Sequence, residues 1–379
     1  MTINFPGGTD AFLKDYWQKR PCLIRAGFSD FQDPLDADEL AGLAMEADVE
    51  SRLVARTGDD WQVEHGPFEQ FPTADRDWTL LVQAVDHWLE DANALMSPFR
   101  FIPNWRIDDL MVSFSVPGGG VGPHLDQYDV FIIQGSGRRH WRVGDRQPLK
   151  SKLPHPSLLQ VEPFEEALID AELEPGDILY IPPGFPHEGW ALAPSLNYSV
   201  GFRAPSGRDL LTKLADYAID HECFNDRYAD PDLLPRRDPG EIQRSELKRL
   251  KAVLQTTLED EDKLYDFLGR YLSEAKHELD LAPPEPEYGP DDIQAALLEG
   301  ERLHRLPGAR TLYLAGNATT LYLDGEAIRF DAGCEKGVQA LANREQLSHD
   351  DISDLLASTG ALTTLAQLVN AGYWYFPEP

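Results

Sequence analysis

Between residues 107 and 205 the chain is broken into short runs: "IDDLMVSFSVP", "YDVFIIQG", "RRHWRVG", "GDILYIP" and "SLNYSVGFRA". Each run is alternating or apolar, and each is bounded by Gly or Pro. Short strands punctuated in this way predict an antiparallel barrel or sandwich. The flanks read differently. Residues 10–19, 36–48 and 77–99 carry the apolar spacing of helices, and "PCLIRAGF" between the first two reads as a strand with Cys22 in the core. After Pro205, "RDLLTKLADYAIDHEC" and the stretch from Gly240 to Leu279 are helical in pattern. "APPEPEYGP", residues 282–290, predicts a stiff linker. A short helix over 291–300, the strands "TLYLAG" and "TLYLDG", and two or three further helices complete the chain. That order suits a small winged-helix-like unit, and the class expected overall is α+β.

A length of 379 residues accommodates two or three domains. Charge then narrows the partners. The net charge is -31, from 65 acidic and 34 basic side chains. Such a surface repels nucleic-acid phosphate, so direct DNA binding is not expected. It attracts a basic partner, or it serves only solubility. Even the winged-helix-like segment 291–379 has 13 acidic and 6 basic residues, which predicts a protein-contact or structural role rather than DNA reading. Cys22, Cys223 and Cys334 lie far apart, so neither a disulfide framework nor a zinc cluster is expected, and a reducing compartment fits them. The N-terminus has no basic stretch followed by a long apolar run, and no 18-residue apolar segment occurs anywhere. Neither a secretory signal nor a membrane span is expected.

The chemistry concentrates around "GGGVGPHLDQYDVF" (118–131) and "PGDILYIPPGFPHEGW" (175–190). Alternate strand residues share a face, so His124 and Asp126 point together, Tyr128 joins them, and Asp129 points away. One imidazole and one carboxylate do not hold a metal; a third ligand is needed. His187 supplies it at the end of the pattern G-x5-P-x-G-x2-H, which starts at Gly176. The first half, G-x5-H-x-D, runs from Gly118 to Asp126. Together these are a cupin-type pattern. A lone H-x-D is most often a surface pair, and a lone His after Pro-Gly a turn residue; the joint pattern is far more restrictive. Two imidazoles and a carboxylate form the facial triad of non-haem Fe(II) oxygenases, with open positions for a bidentate 2-oxoacid and O2.

Strand phase adds further candidates. Arg139, Trp141 and Val143 share the inward face of "GSGRRHWRV", with Arg138, His140 and Arg142 on the other. A guanidinium inside a barrel needs an anion, either an internal carboxylate or that of a cosubstrate. In "DDLMVSFSV", Asp109, Met111, Ser113 and Ser115 lie on the polar face. In "LNYSVGF", Asn197 and Ser199 share a face. Hydroxyls and an amide near a metal suit hydrogen bonds to a cosubstrate or substrate, although ordinary strand hydrogen bonding explains each equally well.

The runs "WRIDDLMVSFSVPGGGVGPHLDQYDVFIIQGSGRRHWRV", "ELEPGDILYIPPGFPHEG" and "NYSVGFRAP", with "FLKDYWQKRPCLIR" near the N-terminus and the ending "LVNAGYWYF", resemble the bacterial ribosomal oxygenases. These are Jumonji-C-type 2-oxoglutarate enzymes. The resemblance covers the whole chain, with its specific motifs in roughly the first 205 residues. It implies a Jumonji-C catalytic domain over 1–205, with a double-stranded β-helix core at about 100–205. It further implies a helical dimerisation region over 206–282 and a winged-helix-like domain over 290–379. It implies Fe(II) at His124, Asp126 and His187, and 2-oxoglutarate held by Arg139, where many Jumonji-C proteins have Lys. Ser113, Ser115 and Asn197 would assist the cosubstrate. The implied reaction is hydroxylation of an arginine side chain at carbon β in large-subunit ribosomal protein sixteen, with 2-oxoglutarate and O2 yielding succinate and CO2. Asp109, Tyr128 and Ser199 would orient the arginine. A cytoplasmic homodimer is the implied setting. The competing readings are a histidine hydroxylase or demethylase of the Jumonji type, a cupin enzyme that uses no 2-oxoglutarate, and a non-catalytic binding module.

Overall fold

The computed structural model describes residues 2–58, 60–146, 151–155, 158–161, 164–235, 237–238 and 240–377. The chain forms two units. The first comprises Met1–Ala204, Ala275–Arg310 and Leu365–Pro379; the second comprises Pro205–Glu274 and Thr311–Thr364.

The first unit is built on eight strands: β1 (Ile107–Ser115), β2 (His124–Leu125), β3 (Val130–Gln134), β4 (Arg139–Val143), β5 (Ile169–Leu173), β6 (Ile178–Ile181), β7 (His187–Ala191) and β8 (Ser195–Phe202). They divide into two antiparallel layers, with orders β6-β3-β8-β1 and β5-β4-β7-β2. Strands near in sequence therefore alternate between layers, which is the double-stranded β-helix. The first layer is extended beyond β1 by Trp78–Val82 and the hairpin Ser51–Thr57/Asp60–His65, and beyond β6 by Cys22–Ile24. The second is extended beyond β2 by Leu158–Val161 and Ser151–His155.

Alternation divides the side chains of the first layer between two cores. Leu110, Val112, Phe131, Tyr198 and Val200 face outward into a large core completed by Phe5, Phe12 and Phe28 from the N-terminal segment. Val130 and Ile132 face the opposite way, into a smaller core with Trp141, Val143 and Leu179. The layer is thus covered on both faces, which is why β3 and β6 are buried at every position.

The helix expected over 77–99 is not formed. Trp78–Val82 is a strand buried at all five positions, in register with β1 through Thr79↔Ser115 and Leu81↔Ser113. Left-handed Ala84 then breaks the chain, and only short helical turns follow, at Val85–His87, Glu90–Ala94 and Ser97–Phe99. A five-residue apolar run fits helix and strand periods alike, and the free edge of β1 decides between them. The other N-terminal helices occur in shortened form, at Gly8–Asp15 and Ala37–Leu43. The Pro-rich segment 282–290 is held within the first unit, because Tyr288 exchanges two hydrogen bonds with Asn370, at 2.9 and 3.0 Å.

The second unit contains helices Gly207–Asp220, Arg244–Glu259 and Glu261–Ser273 and the sheet Thr311–Leu314, Asn317–Leu323, Glu326–Arg329. Ser206 and Asp209 form a reciprocal cap at the first helix. Asp266 gathers Tyr217 (2.9 Å), Arg270 (3.0 Å) and Tyr322 (3.2 Å) at the centre of the unit.

Candidate active site

Cross-strand register brings the two histidines together. His124 opens β2 and His187 opens β7; the two are direct partners, with ring centroids 4.1 Å apart. Asp126 lies just beyond the short β2, and its backbone is tied to the second motif. Gly184 N–H donates to the Asp126 carbonyl at 2.9 Å, from a residue whose φ of +82° favours glycine. His187 Nε2 lies 3.5 Å and His124 Nε2 4.0 Å from Asp126 Oδ2, and the candidate ligand atoms all fall within 4.8 Å of one another.

These residues fit a metal on their own chemistry. Two ligands about 2.1 Å from a shared ion stand no more than about 4.2 Å apart, and both pairs with Asp126 meet that limit. His124 Nδ1 lies 2.9 Å from the Gly122 carbonyl and His187 Nδ1 lies 3.0 Å from that of Phe185. A carbonyl only accepts, so each Nδ1 carries the proton and each Nε2 keeps its lone pair for the ion. Burial, reinforced by His187, lowers the His124 pKa to about 4, which keeps that imidazole neutral. Burial opposes ionisation of Asp126, but its close contacts with His187 and His124 and the Tyr128 hydroxyl hold its carboxyl below the ordinary range.

A cavity of about 340 Å³ opens over this cluster. At one end Arg139 is 5 % exposed. Its Nε and Nη1 donate to Ser195 and Ser113 hydroxyls at 3.0 Å, and its Nη2 donates to the carbonyls of Ser113 (3.0 Å) and Ser195 (3.1 Å). Among the described residues no carboxylate pairs with it, and burial brings its pKa down to about 9. Asn197 lines the same cavity, its amide donating to the Ile133 carbonyl at 3.2 Å while its buried Oδ1 has no partner. Ser115 differs from Ser113: it is fully buried, bonded to Thr79 at 2.7 Å, and absent from the cavity wall.

The other end holds Asp109, Tyr128 and Ser199. Asp109 Oδ2 accepts Ala84 N–H at 3.1 Å, and burial with Asp108 alongside raises its pKa to about 6. Tyr128 is 43 % exposed, yet its hydroxyl turns inward to Asp126, whose charge lifts the phenol well above its ordinary pKa. Ser199 faces Met111 across β8 and β1. Asp129 does point away, into a buried network with Arg106 (2.9 Å), Tyr180 (2.6 Å) and Gln18 (3.0 Å).

The wall also contains Arg52, Gln83, Lys276 and His277, which no motif announces. Arg52 could have been found by alternation in "SRLVART"; its Nε is buried without a partner, and its Nη2 lies 3.9 Å from Met111 Sδ. Lys276 and His277 follow the helical region, in a polar run with no periodicity that links them to the barrel.

A JmjC-domain profile matches residues 94–210, and a ROXA-like winged-helix profile matches residues 256–375. The ribosomal protein uL16 3-hydroxylase of Escherichia coli is 52% identical over 377 residues, spanning 99% of this chain and 98% of that protein. The chain belongs to the JmjC-type ribosomal oxygenases. A probable ribosomal oxygenase of this family from Haemophilus influenzae is 31% identical, over 92% of this chain and 89% of its own. The solved structure of the E. coli ribosomal oxygenase YcfD with cobalt and 2-oxoglutarate superposes with a TM-score of 0.91 at 49% identity, covering 100% of this chain and 99% of that one. No helix among the described residues of this family member is long and apolar enough to cross a membrane.

Proposed function

We propose that this chain is an Fe(II)- and 2-oxoglutarate-dependent oxygenase that hydroxylates an arginine side chain, at carbon β, in ribosomal protein uL16. One observation carries the reading: a three-ligand metal cluster, a buried unpaired guanidinium and a buried carboxylate open on one cavity. The uL16 3-hydroxylase at 52% identity supports the substrate.

His124, Asp126 and His187 would hold the iron. Bound together, Fe(II) and 2-oxoglutarate would activate O2, one oxygen atom oxidising 2-oxoglutarate to succinate and CO2 and the other being delivered to the substrate. The protein's contribution is placement. Arg139, held rigidly by Ser113 and Ser195, offers its guanidinium to the distal carboxylate of the cosubstrate. Asn197 lines the same cavity, with a buried Oδ1 free to accept from a donor there. Asp109 offers a carboxylate to the substrate guanidinium, Tyr128 packs against its plane, and Ser199 fills the strand face between them.

The net charge of -31 favours encounter with a basic ribosomal protein and disfavours DNA. The homodimer rests on helix Arg244–Glu259, on which Leu247, Leu250, Leu254 and Leu258 form an exposed stripe. Three free cysteines suit a cytoplasmic setting. Incubation with Fe(II), 2-oxoglutarate and a uL16 peptide, read by tandem mass spectrometry, tests the reaction. Gain of one oxygen on an arginine, with succinate in equal amount, is the outcome expected. Oxygen on a histidine, demethylation, or turnover without 2-oxoglutarate would replace the reading.

A further inference from the structure

Residues 275–280 belong to the first unit, although about seventy residues of the second intervene. Two consecutive side chains there, Lys276 and His277, address the two consecutive aspartates that open β1. Lys276 ion-pairs with Asp108, which Arg203 also contacts at 2.8 Å. Burial opposes ionisation of Asp108, but Lys276 and Arg203 hold its carboxyl below the ordinary range. Asp108 is therefore already neutralised and offers little to an incoming cation. Asp109 is treated differently. His277 Nε2 lies 3.6 Å from Asp109 Oδ2, and His277 Nδ1 lies 3.3 Å from Glu50 Oε2. The same Oδ2 already accepts Ala84 N–H. Oδ1 lies 3.5 Å from where a Cβ on Gly201 would stand, and Gly201 itself lines the cavity. The segment that carries His277 is itself fastened, since His87 Nδ1 lies 2.9 Å from the Glu278 carbonyl.

We propose that His277 is a positioning residue for the substrate: with Glu50 behind it, it holds one oxygen of Asp109 and leaves the other aimed into the cavity for the cationic side chain. Lys276 has the complementary task of withdrawing Asp108, so the pocket presents one available carboxylate instead of two. This inference rests on the hydroxylase reading above and deepens it. The charged and titratable groups that face Asp109 are Asp108 on its own strand, Asp86 from the turn at 85–87, Arg310, Tyr128 and His277. Among these side chains, His277 draws the Asp109 pKa downward. Removing it leaves the Ala84 N–H and the buried Arg310 to oppose Asp108 and Asp86.

The test uses the full-length enzyme with His277→Ala, His277→Gln and Glu50→Gln, a uL16 peptide containing the arginine, and the same peptide with lysine in its place. With His277→Ala, the arginine-peptide KM rises about tenfold, the loss expected for one misdirected charge-assisted contact. That rise exceeds any change in kcat or in KM for 2-oxoglutarate, and the acid limb of the peptide kcat/KM moves to higher pH. His277→Gln keeps a donor near Nε2 and recovers most of the loss. Should His277→Ala fail to fold, Glu50→Gln decides the matter through an exposed residue: a KM rise of roughly threefold is expected, and an unchanged KM overturns the proposal. Equal changes in peptide and 2-oxoglutarate constants, or a Gln variant no better than Ala, also overturn it. Failure of the unmodified enzyme to hydroxylate the peptide would instead sink the hydroxylase reading.

Discussion

Asp126 stands between two imidazoles whose outer nitrogens are both committed to backbone carbonyls. The ligand face therefore exists before any ion arrives. Asp126→Ala removes the only carboxylate of the described cluster. Calorimetric titration with Co(II) should show affinity lowered by at least about a hundredfold, with the circular dichroism of the fold retained. At the opposite end, Arg139→Lys replaces a planar fork with a point charge. The KM for 2-oxoglutarate should rise about tenfold or more while peptide KM changes little. Asp109 carries a pH signature. Its pKa is about 6 in the fold against an ordinary 3.8, so the folded state retains the proton more tightly. The stability this adds is complete below about pH 4 and is lost as pH rises through about 6. Binding of a guanidinium needs the ionised form, so peptide KM should fall as pH rises from about 5 to about 7. Asp109→Asn should abolish that dependence and raise the melting temperature at neutral pH. A melting curve unchanged across this range would contradict the assignment.

Strand phase made much of this region legible. Arg139, Trp141 and Val143 alternate inward in β4, and Asp109, Met111 and Ser113 do so in β1, because side-chain direction follows from a period of two alone. Phase could not separate Ser113 from Ser115: both are buried on one face, but Ser115 lies beyond the cavity and meets Thr79. Trp78–Val82 was illegible because its partner, the edge of β1, is a tertiary fact. Lys276 and His277 were illegible for the same reason over a longer span. The pairing of β4 with β7 makes a prediction of its own. Gly189 lies opposite Trp141, and a Cβ there would come within 2.7 Å of the indole. Gly189→Ala should destabilise the fold by about 1–3 kcal/mol through overpacking. It should also weaken Co(II) binding, since His187 begins the same strand. A calorimetric melting point within one degree of wild type would show that the ring can move aside.

For the whole molecule, the acidic surface sets a rate. Association with a basic substrate should be steered electrostatically, so peptide kcat/KM should fall severalfold between roughly 0.05 and 0.3 M salt. The constants for 2-oxoglutarate, which enters a buried guanidinium site, should respond far less. The proposed dimer predicts that sedimentation shows a dimer for the unmodified chain and a monomer for a Leu250→Asp, Leu254→Asp variant; a monomer in both would remove the dimer from the account.

The path of the chain through its two units has a consequence for biosynthesis. A nascent polypeptide that has emerged as far as Pro205 contains both imidazoles, the carboxylate between them and the guanidinium of β4, but neither Lys276 nor His277. The iron-binding face can thus be assembled well before the substrate clamp, with the intervening helices translated in between. An unfinished chain on the ribosome would carry every metal ligand while the residues proposed to aim Asp109 are still to be translated.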